Sequence, residues 1–89
     1  MKVKVENMMS NSSGREVANQ FIINTKDGRY FQSYSSIIAR ISKGKITLDA
    51  NKWDYSNTTS KYRNVFLGET TKETKAKIKS GEYKLANLN

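Results

Sequence analysis

The sequence contains no cysteine, no histidine and no proline. Without cysteine there is neither a disulfide framework nor a zinc–thiolate site, so packing alone must hold the fold. Without histidine and cysteine the chain lacks the commonest general base, the commonest metal ligands and the best nucleophile. There is no internal repeat and no low-complexity linker, so nothing marks a domain boundary and residues 1–89 read as one domain. No apolar run approaches the length of a bilayer span. The N-terminal stretch MKVKVENMMS has no continuous apolar core, so a signal peptide is not expected and the expected compartment is the cytoplasm.

What is present is charge of one sign. The 16 basic and 8 acidic side chains leave a net charge of +8. In a chain of 89 residues this excess attracts phosphate-rich or acidic partners. Apolar residues make up 36% of the chain, a lean supply that is still enough for one small core.

Residues 2–49 read mainly as strands. Val3 and Val5 alternate with Lys2, Lys4 and Glu6, the period of a half-buried strand. A loop by composition follows, from Ser10 to Gly14. From Val17 to Thr25 the alternation places Val17, Asn19, Phe21 and Ile23 on one face, with Ala18, Gln20 and Ile22 on the other. Lys26-Asp27-Gly28 signals a hairpin whose return strand is Arg29 to Tyr34. Ile37 to Ile41 fits another strand, or a short helical turn capped by Ser36. Lys43-Gly44-Lys45 is a second tight turn leading into the strand 46–49. Short connections favour antiparallel pairing.

The period then changes. Asp54 or Ser56 can cap a helix over 56–67, with Tyr62, Val65 and Phe66 at helical spacing and Gly68 as its C-cap. Thr70 and Glu73 form a capping box for a second helix over 71–80, closed by Gly81. Glu73 and Lys77 have the spacing of an i,i+4 pair. The tail carries Tyr83, Leu85 and Leu88 in a pattern that suits a docked extended segment. The expected fold is α+β: a small, mostly antiparallel sheet of about five strands. Two short C-terminal helices pack on it through Tyr62, Val65, Phe66 and Ile78.

The runs FQSYSSIIA (31–39), WDYSNTTSKY (53–62), FLGE (66–69) and SGEY (80–83) resemble a family of small bacteriophage and prophage proteins of unknown function. The resemblance implies phage origin and expression in the cytoplasm of a bacterial host. It implies no activity. Small phage proteins of this size often bind and block host machinery, anti-CRISPR proteins among them, and the analogy carries no further than that.

No catalytic apparatus is expected. Asp49 and Asp54 are the only carboxylates that suggest a pair, and they read better as a turn residue and a helix-capping residue. Serines 10, 12 and 13 have no base nearby in sequence. Gly14, Gly28 and Gly44 form no phosphate-cradling pattern. No metal or cofactor is expected.

Two binding surfaces are expected instead. Lys72, Lys75 and Lys79 share one side of the second helix, with Lys61 and Arg63 adding charge from the first. Lysine suits backbone phosphates better than base edges. On the return strand, Tyr30 and Tyr34 share a face with Gln32, beside Arg29, an arrangement that suits base stacking if the face is open. If covered, the same rings are core. Trp53 reads as core where sheet meets helix.

These features support three readings. The first is a phage-encoded, non-enzymatic inhibitor of a host nucleic-acid-handling or defence complex, for example a CRISPR effector, acting through a basic surface. The second is a protein that binds nucleic acid directly. The third is a phage structural or assembly protein.

Overall fold

A computed structural model describes residues 3–10 and 13–89. Lys2 of the first expected strand, and Asn11 and Ser12 of the expected loop, lie outside the described residues.

Five strands run up and down in sequence: β1 (Lys4–Met9), β2 (Glu16–Thr25), β3 (Gly28–Ser33), β4 (Ser36–Ser42) and β5 (Lys45–Asp49). Two helices follow, α1 (Asn57–Leu67) and α2 (Thr71–Ser80), and then a short strand β6 (Lys84–Ala86). The chain is α+β, as expected, with one strand more than the reading of the sequence. The sheet order is β1-β2-β3-β4-β5-β6. All pairs are antiparallel except β5–β6. A parallel return needs a crossover of a dozen or more residues, and the helix pair supplies it.

The stretch Ile37–Ile41 is strand, not helix. The Lys43-Gly44 turn has both residues at positive φ, the backbone twist that suits a two-residue hairpin. At the first hairpin the two loop residues are Lys26 and Asp27, and Gly28 already pairs with Thr25. Gly28 is needed for close approach: a Cβ there would sit 2.5 Å from the carbonyl oxygen of Ile41.

Alternation fails in β2. Asn19 takes a left-handed conformation (φ 65°), and the β1–β2 register shifts between Asn7 and Met9. A bulge of this kind reverses which face the following residues use. Val17 therefore faces the helices before the bulge, and Gln20 and Ile22 face them after it. The expected grouping of Val17 with Phe21 and Ile23 is corrected accordingly.

The core lies between the sheet and the helices: Met8, Phe31, Ile38, Ala39, Leu48, Tyr62, Phe66 and Tyr83. Each large apolar side chain buried this way contributes roughly 1.5–3 kcal/mol. The Phe66 ring stacks on Phe31 at 5.8 Å between centroids. Val65, expected to pack inward, is 41% exposed, and Leu67 packs against the core instead. Val3 and Val5 are exposed, and Met8 is the residue that β1 buries. Trp53 is half-buried at the edge of the core.

Both helix boundaries follow local chemistry. The Ser56 hydroxyl accepts from the Thr59 amide, and Gly68 closes α1 in a left-handed conformation. Asp54 does not cap. Thr70 and Glu73 complete the capping box of α2, and Gly81 ends it.

Candidate functional site

The helix layer sorts its charges into two sets. The inner set begins with Arg63, whose exposure is 0%. Its guanidinium donates to the carbonyl of Trp53, to Asp54 at 3.1 Å, to Asn64 at 2.9 Å and to the Thr71 hydroxyl at 2.8 Å. It also lies over the Trp53 ring, 5.1 Å from the centroid. One side chain thus ties the 50–56 segment, α1 and the start of α2 together. Arg63 is therefore withdrawn from the expected binding surface: its donors face inward.

Glu69 centres the second inner network. Its carboxylate accepts from Lys77 at 2.8 Å, from the Tyr83 hydroxyl at 2.6 Å and from the Thr74 hydroxyl at 2.5 Å. Burial pulls this carboxyl upward, but the three hydrogen bonds and the Lys77 charge outweigh burial and hold it below its usual range. Tyr83 is pushed up to about 12 by burial and by the adjacent carboxylate. The expected Glu73–Lys77 pair does not form. Glu73 receives the Thr70 amide instead, and Lys77 turns to Glu69.

The outer set is Lys61, Lys72, Lys75 and Lys79, all exposed. Among the described residues none of them makes an ion pair. Lys61 rests over the ring of its neighbour Tyr62. On α2 the inward residues are Thr74, fully buried, and Ile78, so Lys72, Lys75 and Lys79 lie to the solvent side. Three of the nearby acids are engaged internally: Asp54 by Arg63 and Ser60, Glu69 by its network, and Glu73 by the capping box. Burial raises the Asp54 carboxyl, but hydrogen bonds from Ser60 and Arg63 and the charges of Arg63 and Lys75 prevail and lower it. Glu73 stays exposed while it caps α2, and Glu82 is exposed as well, against the four exposed lysines. The layer consequently presents a positive field.

The two carboxylates singled out in the sequence have separate roles. Asp49 is buried and accepts from the amides of Leu88 and Asn51 and from the Asn89 side chain, fastening the C-terminal tail. Asp54 belongs to the Arg63 network. Among the described residues no group of acidic side chains could hold a metal ion, and no pocket is present. Among the described residues no helix is long and apolar enough to cross a membrane.

The opposite face of the sheet carries no helix. Residue pairing places Val5, Ile23, Tyr30, Arg40, Thr47 and Lys84 in one row across all six strands. Phe21, Gln32 and Ile37 lie on the same face. Tyr30 is half-buried by its neighbours, and Tyr34 is exposed in the β3–β4 turn with φ 56°. Tyr30 keeps its place on this face beside Gln32, whereas Tyr34 lies beyond the end of β3 and does not continue the alternation. Arg29 is corrected: it pairs with Ile41 on the helix side, its Nε donates to Asn24, and its guanidinium lies 5.4 Å from the Phe66 centroid. Phe21, Ile23 and Arg40 were missed as members of this surface. Phe21 had been grouped with Val17, and only the bulge at Asn19 separates them.

A family model described as a family of unknown function, DUF8033, matches residues 3–82. No curated protein and no solved structure matches the chain.

Proposed function

We propose that this chain, which belongs to the DUF8033 family of unknown function, is a non-enzymatic binding protein that meets a polyanionic partner through the outer lysines of its helix layer. One observation carries the reading: among the described residues Lys61, Lys72, Lys75 and Lys79 make no ion pair, while Asp54, Glu69 and Glu73 are each engaged by partners within the chain. Charges left free in this way are available to steer and hold an acidic surface. The setting we propose is that of a phage product that blocks a host nucleic-acid-handling or defence complex, in the host cytoplasm. The net charge of +8 and the resemblance to phage proteins support that setting. The test is capture from a bacterial lysate with and without nuclease, using the wild-type chain beside Lys72→Gln/Lys75→Gln/Lys79→Gln. A host complex that survives nuclease and is lost in the triple variant supports inhibition. Capture that is indifferent to the triple variant refutes the lysine surface.

A second reading, direct nucleic-acid binding, is favoured by a separate observation. The sheet face opposite the helices is open and carries aromatic rings beside basic residues.

A further inference from the structure

The open sheet face is graded along its length. The row Val5–Ile23–Tyr30–Arg40–Thr47–Lys84 runs from apolar side chains at the β1 edge to basic ones at the β6 edge. Lys45, paired with Ser42, adds a further cation at that end. Two acids share the face by position. Glu16, opposite Met9, lies at the far end of β1 and β2. Asp49 is occupied by the amide of Leu88 and the side chain of Asn89. Phe21 stands opposite Gln32 and Tyr30 opposite Ile23, so the two rings are diagonal neighbours on adjacent strands. Such neighbours are about 7–8 Å apart.

We infer that this face binds single-stranded nucleic acid, with Phe21 and Tyr30 each stacking a base and Arg40, Lys45 and Lys84 receiving the phosphates. The inference deepens the direct-binding reading and is separate from the lysine surface of the helices. Stacking is indifferent to sequence because every base has a π-face, and Phe21, which has no hydroxyl, offers no hydrogen bond that would tell one base from another. A duplex hides its base faces in its own stack, so aromatic side chains on a sheet face stack on unpaired bases. A second copy of the chain is disfavoured as the occupant. Each copy carries +8, and packing two such faces brings cations together. An acidic protein would satisfy Arg40 and the lysines but gives the ring pair no particular role.

The test uses the full chain and a fluorescein-labelled oligothymidylate of about 12 nucleotides, within the span that single-strand binders cover. Fluorescence anisotropy at low salt should show binding, with a duplex of the same length at least about tenfold weaker. Phe21→Leu and Tyr30→Leu keep apolar bulk, and each should weaken single-strand binding about tenfold. Arg40→Gln should flatten the salt dependence by about one contact. Lys72→Gln/Lys75→Gln/Lys79→Gln should retain most of the affinity. Should a leucine variant fail to fold, amide shifts of the wild-type chain on adding the oligonucleotide decide the question, and they should fall on β2, β3 and β4. No binding at low salt, equal affinity for duplex, or shifts confined to α2 would overturn the inference, the last while leaving the lysine reading intact. A dimer in sedimentation that Tyr30→Leu dissolves, or a nuclease-resistant protein partner lost with Tyr30→Leu, would overturn it in favour of those occupants.

Discussion

The seam between the helices and the exposed row on α2 are built from the same residue types and do opposite things. Arg63 and Lys77 face acceptors: a carbonyl, two carboxylates, an amide oxygen and a hydroxyl. Lys72, Lys75 and Lys79 face solvent. A cation surrounded by acceptors fixes the position of chain segments and has nothing left for a partner. A cation without them costs the fold little and keeps its field available. Composition cannot separate the two sets, because a count of lysine and arginine weighs them equally.

The sharpest way to break this contrast is Arg63→Ala. It removes the guanidinium that joins the 50–56 segment to α1 and to the start of α2, and leaves only the Ser60 hydroxyl on Asp54 and the Ser56 cap between that segment and α1. It also leaves Asp54, which is partly exposed, without its cation. Breaking a buried ion pair costs about 3–5 kcal/mol, and the exposure of Asp54 puts the expected loss near the lower bound. Urea denaturation should show a fall in midpoint with little change in slope. Arg63→Lys should rescue only part of it, because an ammonium cannot span the same fork of acceptors. A loss below about 1 kcal/mol would move Arg63 back among the surface cations.

Glu69→Gln comes next, at about 2 kcal/mol, since hydrogen bonds to a charged group contribute about 1.5–3 kcal/mol. It also predicts a pH signature. The folded Glu69 carboxyl titrates below its ordinary value of 4.5, so its stabilisation is complete above that value and is lost as pH falls through the folded one. At the alkaline end, Tyr83 is held neutral up to about 12 against an ordinary 10.0. Its contribution is therefore complete below pH 10.0 and lost as pH rises from there to about 12. Denaturation midpoints measured from pH 3 to pH 6 should fall with acid in the wild type and flatten in Glu69→Gln. An unchanged acid slope would show that the network contributes nothing.

Thr70→Ala should cost about 1 kcal/mol, the usual loss for an N-cap, read in the same denaturation assay. A change of only a few tenths would mean that α2 is held by Glu69 and Ile78 without its cap. This cap belongs to the part of the fold that is legible from sequence. Ser56 with Gly68, and Thr70 with Glu73 and Gly81, act over three to five residues or close a helix directly, so the signal lies in one short window. The hairpins at Lys26-Asp27 and Lys43-Gly44 are legible for the same reason. The faces of β2 are not. A left-handed Asn19 reverses them; asparagine tolerates that conformation better than most residues, but only tertiary pairing decides whether it is used inside a strand. The burial of Arg63 is equally hidden, because its partners Trp53, Asp54 and Thr71 come from segments that only tertiary packing assembles. Lys77 shows the competition directly. The local i,i+4 partner Glu73 exists, but the capping box takes Glu73 and leaves Lys77 to Glu69. The open sheet face was legible only in part. Tyr30 follows from simple alternation in β3, whereas Phe21 needs the bulge to be known.

The smallest stability effect should come from the exposed row, and there the comparison is sharpest. Lys72→Gln/Lys75→Gln/Lys79→Gln removes three charges, keeps side chains of similar length and touches no hydrogen bond of the inner networks. Stability should change by less than about 0.5 kcal/mol. A modest gain is the expected sign, because relieving +8 by three charges reduces self-repulsion. Binding should respond much more than stability does. If the partner offers phosphates, each lost contact should lower the log–log salt slope by about 1. If it is an acidic protein surface, the association rate should fall more than the dissociation rate rises, because rim charges act mainly on encounter. Arg63→Ala should show the reverse pattern: a large loss of stability and, at temperatures where the variant stays folded, an unchanged salt slope. The two variants therefore form a cross-over test in one assay. If Arg63→Ala lowers the salt slope as much as the triple variant does, the division of the helix layer into inner and outer cations is wrong. If the triple variant destabilises by more than about 1 kcal/mol, those lysines have partners in the fold and are not the surface on which the proposed function rests.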